Sequence, residues 1–153
     1  TNITTANMRI GAAYLGAGTD ILMTHPIDPT VAGSANGASI DAKNYGMMLA
    51  AMSQEAHQLG MTTSSSAMIT AMHNDAEDGT MDGTMSGTPI NMNGMGGMMG
   101  GGSMMSAAGT GELATAMATF INSPMNRSGV ISIAEMQPLM DQLRQLHDSG
   151  GQL

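Results

Sequence analysis

The sequence predicts an all-α fold, a small irregular bundle of about five helices with one long Gly/Met-rich loop. Three observations predict it. Five segments repeat apolar residues at intervals of three and four, the period of one helical face. No stretch alternates apolar with polar residues as a half-buried strand would. The run MNGMGGMMGGGSMM at 92–105 has neither period and is low-complexity. At 153 residues the chain is one domain, 1–153, with an acidic turn and the Gly/Met-rich loop inserted between helices at 76–106.

The elements follow in order. Residues 5–16 read as a short helix that ends at Gly16-Ala17-Gly18. Residues 20–38 contain Pro26 and Pro29 and read as an extended connection. Over 40–59, Tyr45, Met48, Leu49, Met52, Ala56 and Leu59 form one apolar face, and Gly60 is a natural stop. Ser64–Asn74 predicts a third helix with Met68, Ile69 and Met72 inward. Residues 111–122 predict a fourth, with Leu113, Met117, Phe120 and Ile121 on one side. The fifth spans 133–148 with a stripe of Ile133, Met136, Met140 and Leu143. Ser132 and Glu135 form a capping box at its start, and Pro138 past the first turn predicts a kink.

Composition narrows the function. Twenty methionines stand against one Phe, two Tyr, no Trp and no Cys, so Met, Ala, Leu and Ile must fill the core. Charged residues are 10%, which leaves Ser, Thr, Asn, Gln and Gly to make the surface. Net charge is -8, with Arg9, Lys43, Arg127 and Arg144 the whole basic complement, so no basic patch exists for nucleic acid. The absence of Cys excludes disulfides and thiolate metal sites. No run of about 18 apolar residues provides a transmembrane segment. A chain beginning at Thr1 fits a mature or proteolysed product, with any signal segment already removed.

Two segments resemble calcium loops, each incompletely. With Gly129 at the sixth position of an EF-hand loop, Asn126, Ser128, Ser132 and Glu135 fall at positions 3, 5, 9 and 12. Pro124 then stands at position 1 and offers no side-chain oxygen. The same residues also read as a capped helix after a turn, without metal. With Gly79 at the sixth position, Asn74, Asp78 and Asp82 fall at 1, 5 and 9, while Met85 replaces the bidentate carboxylate at 12. Asp75, Glu77, Asp78 and Asp82 repel one another unless solvated or neutralised by a cation. Ca²⁺ at Asn74, Asp75, Asp78 and Asp82, or at Asn126, Ser128 and Glu135, is one expectation. A solvated acidic turn is the other.

The methionines divide into two groups. Met48/Met52, Met68/Met72 and Met136/Met140 are spaced i, i+4 on predicted inward faces, where Leu would ordinarily sit. Met92, Met95, Met98, Met99, Met104 and Met105 follow no period and are separated by six glycines. They supply an adaptable contact surface, a Cu(I) site of thioether ligands helped by His25, His57 or His73, or an oxidant-absorbing linker.

Four motifs stand out: Leu15-Gly16 followed by Asp20-Ile21-Leu22, the helix YGMMLAAMSQ at 45–54, the turn DAEDGTMDG at 75–83, and FINSPMNRSG at 120–129. Together they resemble a helical domain of bacterial cell-surface and lipoprotein-type proteins, often found beside Ig-like repeats. The resemblance covers about residues 6–130 and implies export and a surface role, with no reaction attached. Met replaces Leu at Met48 and Met52, and the insert at 92–105 is this chain's own. No nucleophile–base order, H-E-x-x-H or phosphate-cradling loop argues for an enzyme. The expectation is therefore a non-enzymatic exported module of a cell-surface, periplasmic or extracellular assembly, with a protein as its partner. A Cu(I)-handling protein is the alternative.

Overall fold

The computed structural model describes residues 2–58, 64–90 and 110–153. It is an irregular all-α bundle of five helices: α1 (Ile3–Tyr14), α2 (Ile40–Gln58), α3 (Ser64–Ala76), α4 (Thr110–Ile121) and α5 (Ile133–Asp148). The predicted helices all form, displaced by no more than two residues at each end. Asn2 caps α1 by accepting from the Thr5 N–H at 2.8 Å. Ser132 caps α5, its hydroxyl accepting from the Ala134 N–H, while Glu135 reaches past it to the Ile131 N–H. Helix α5 runs unbroken through Pro138.

Packing proceeds in the series α3–α2–α4–α5–α1. The core is a methionine core: Met47, Met48, Met68, Met81, Met117, Met136 and Met140 are buried with Leu113, Leu143 and Phe120. Each i, i+4 methionine pair contributes to it, with Met52 and Met72 packed at its margin. Unbranched thioethers fill irregular gaps between helices, which suits a chain with almost no aromatics.

Two inward faces differ from the sequence reading. On α2 the buried residues are Gly46, Met47, Met48, Ala51, Glu55 and Ala56, whereas Leu49 is exposed. This helix is covered on two sides, by α3 and α4, so its buried surface is wider than one stripe. On α3, Met68 is buried but Ile69 is 52% exposed. Gly46 lets the 26–29 connection lie directly on α2, because a Cβ there would collide with the Ile27 carbonyl.

The stretch after α3 contains a minimal hairpin that the sequence reading lacks. Strands β1 (Thr84–Met85) and β2 (Thr88–Pro89) pair antiparallel, with Thr84 opposite Pro89. Their connection is Ser86-Gly87, both with positive φ, as a two-residue type I′ turn requires. Strands of two residues are too short to show an alternating pattern. The C-terminal tail covers this region: the Met81 N–H donates to the Gly151 carbonyl at 2.7 Å, and Thr80 bridges Gln152.

Candidate functional site

The acidic turn is built from a repeated local device. Asp78 Oδ1 accepts from the backbone N–H and the hydroxyl of Thr80, at 3.1 and 2.6 Å. Asp82 does the same with Thr84, at 2.8 and 2.7 Å, and Asp28 with Thr30, at 2.9 and 2.7 Å. A short carboxylate side chain that captures the backbone two residues on closes a turn without help from elsewhere. The second oxygen of Asp78 accepts from the Ser86 N–H at 2.9 Å and so fixes the left-handed residue of the hairpin. These donors hold the Asp78 carboxyl below its ordinary range, the Thr80 hydroxyl first among them.

Asp75 behaves differently. Its side chain points into the protein and is wholly buried. Oδ1 accepts from the Gly83 N–H at 2.8 Å, and Oδ2 has no protein partner. Burial pushes its carboxyl up to about 6, the Gly83 N–H opposing and the charges of Asp82 and Asp78 adding to the rise. The turn therefore sends Asp75 inward and leaves Asp78 and Asp82 exposed. Asn74 is half-buried beside exposed His73. Among the described residues, no three carboxylate or imidazole groups converge as metal ligands would.

The turn at 123–132 is closed by the same device in neutral form. Asn126 Oδ1 accepts from the Ser128 N–H and hydroxyl, at 3.2 and 2.7 Å. Its Nδ2 donates to the carbonyls of Ile121 and Val130, at 2.9 and 2.8 Å. Ser128 Oγ in turn accepts from the Val130 N–H. Both atoms of the Asn126 amide are thus engaged in folding the chain. Glu135 lies on the exposed start of α5. The loop is further zipped to the 29–35 connection through the Arg127 and Ser128 backbones. Met92, Met95, Met98, Met99, Met104 and Met105 lie outside the described residues.

Two residues of interest escaped the sequence reading. Glu55 on α2 is 4% exposed, and one of its carboxyl oxygens, Oε2, has no protein partner. Burial pushes the carboxyl up to about 8, with the charge of Glu112 on α4 adding to the rise. Tyr14, the last residue of α1, is 2% exposed with its hydroxyl unpartnered. Burial raises its pKa first, then the nearby charges of Asp75 and Glu55. The legible signal was Glu55 itself, three residues after Met52 and seven after Met48, on the apolar stripe of α2.

Beside these groups the series of helices leaves an opening. Its two ends face each other across an apolar cleft of about 440 Å³ between α1 and the α2–α3 pair. Ile10 and Tyr14 line one wall, Met48 and Met52 the second, and Ile69 and Met72 the third. No helix among the described residues is long and apolar enough to cross a membrane. Neither a protein family, nor a curated protein, nor a solved structure matches the chain.

Proposed function

We propose that the chain is a non-enzymatic exported helical module that holds another protein in a cell-surface or extracellular assembly. The observation that carries this reading is the cleft between α1 and the α2–α3 pair. Its walls are almost wholly apolar, and its size is that of a site that takes a few large side chains. Methionines supply much of the lining, and they adapt to partners of varied shape. Leu49 and Ile69 stand exposed at its edge, where a docked helix would cover them. The resemblance of the Asp75–Gly83 and Phe120–Gly129 motifs to exported surface modules supports the location. The Asp–Thr clasps already rigidify the acidic turn, so this reading needs no calcium.

A photo-crosslinking residue at Ile69, in the full chain expressed in its native cell, tests this. The same residue at Ile131, which is 86% exposed on α5's entry turn, is the control. The expected result is a crosslinked protein, or a second copy, at Ile69 and not at Ile131, recovered outside the cytoplasm. Equal labelling at both sites, or recovery only from the cytoplasm, overturns the reading.

A further inference from the structure

The cleft lined by α1, α2 and α3 has an acid beside each of its walls. Asp20 precedes the lining residue Ile21 and is exposed, and its Oδ1 accepts from the Asn7 side-chain amide of α1 at 2.7 Å. Asp41 lies one turn before Tyr45, another lining residue, on the same side of α2, and accepts from the Thr19 hydroxyl at 3.2 Å. Glu77 follows the lining residue Ala76 at the end of α3 and is exposed. Apart from two tyrosines, His73 is the one titratable residue in the lining, and it faces Glu77 at 3.9 Å.

All four bases of the chain lie elsewhere. Arg9 lines a separate opening between α1 and α5, with Gln142 and Gln145. Lys43 is two residues from Tyr45 and nine from Met52, so the helical turn puts it on the opposite side of α2 from both. Arg127 belongs to the turn that is zipped to the 29–35 connection. Arg144 is paired with Asp141 on α5 at 3.1 Å. A larger opening beside α2, about 720 Å³, has a mixed lining, with Asp28, Ser53, Gln54 and His57 among Pro26 and Met125. Neither that opening nor the one at Arg9 combines an almost wholly apolar lining with acids alone around it.

We propose that the occupant of the cleft is a cationic amphipathic helix of a partner protein. Apolar side chains recurring at three and four residues would enter between the three walls, and flanking Lys or Arg would meet Asp20, Asp41 and Glu77. This deepens the reading of the cleft as a docking site and rests on it. The same charges argue against two other occupants. A second copy of this chain brings its own net charge of -8, and an anionic lipid surface is repelled as well.

A designed helix of leucine and lysine, about 18 residues long, with its leucines on one face, is the probe. Two peptides serve as controls: one with glutamate in place of lysine, and one with the leucine–lysine composition scrambled so that no apolar face forms. Titration of each into the full chain should give about tenfold tighter binding for the cationic helix than for either control. Ile69→Gln, at an exposed position of the lining, should abolish that preference, whereas Met125→Gln, in the other opening, should keep it. Asp20→Asn combined with Glu77→Gln should slow association and flatten its dependence on salt. Equal binding of the three peptides, no binding of the cationic helix, or an undiminished preference in Ile69→Gln overturns the proposal. A partner crosslinked at Ile69 through an acidic helix, or a second copy crosslinked there, also overturns it while leaving the docking reading in place. Absence of any crosslink at Ile69 counts against the docking reading itself.

Discussion

The turns at 74–90 and 123–132 use the same clasp but place different residues at its root. Asn126 offers two acceptor sites and two donors on a neutral amide, and the structure uses both ends to tie α4, the loop and the entry to α5 together. Asp75 offers only acceptors, and one of its oxygens is left buried and unpartnered. The turn at 123–132 closes on itself. The turn at 74–90 sends a carboxyl group into the interior with one oxygen unpartnered. A buried amide makes a fixed joint, and a buried carboxylate makes one that answers to pH.

The largest effect should come from breaking the fixed joint. Asn126→Ala removes four hydrogen bonds and strands the Ile121 and Val130 carbonyls, a loss of roughly 2–4 kcal/mol. Chemical denaturation measures it, and a loss below about 1 kcal/mol would show that the turn is held by packing alone. Asn126→Asp should be comparably damaging, because a carboxylate would then face two carbonyl oxygens.

The next effect concerns the responsive joint. Asp75 has its carboxyl raised from 3.8 to about 6, so the natural chain should lose stability as pH rises from 4 to 6. Asp75→Asn keeps an acceptor for the Gly83 N–H and removes the charge. Stability of this variant should fall less steeply over that interval, with Glu55 alone contributing above pH 4.5, and an undiminished slope would assign the loss to groups other than Asp75.

A smaller effect is expected at the exposed clasps. Asp78→Asn should lower the melting temperature less than Asn126→Ala, because the Thr80 and Ser86 donors can turn to water. The natural chain should melt at the same temperature in EDTA as without it. A fall in EDTA, reversed by calcium, would show that an ion rather than hydrogen bonds closes the turn.

The smallest change should follow substitution in the core. Met136→Leu and Met140→Leu conserve volume and should alter stability by less than about 1.5 kcal/mol. A larger loss would mean that the sulfur, and not the packing of the side chain, is needed there.

The helices were legible because each carries its own period and punctuation. Leu113, Met117, Phe120 and Ile121 announce α4, and Ser132 announces the start of α5. The exposed Leu49 and Ile69 were misplaced because period gives a direction for one face, while α2 has two neighbours. The clasp motifs were visible as Asp and Asn two residues before Thr or Ser, yet their spacing suited metal ligation as well as hydrogen bonding. The hairpin rests on two left-handed residues and one donated hydrogen bond, for which no pattern exists.

Local chemistry thus determined the helices, their caps, the methionine core and the absence of a basic surface, since each follows from residues within one or two turns of the chain. Only the tertiary structure decided that Asp75 turns inward while Asp78 turns outward, and that Tyr14 and Glu55 are buried as well. Burial depends on what packs above a residue, and that covering comes from segments as far apart as α1, α3 and the C-terminal tail.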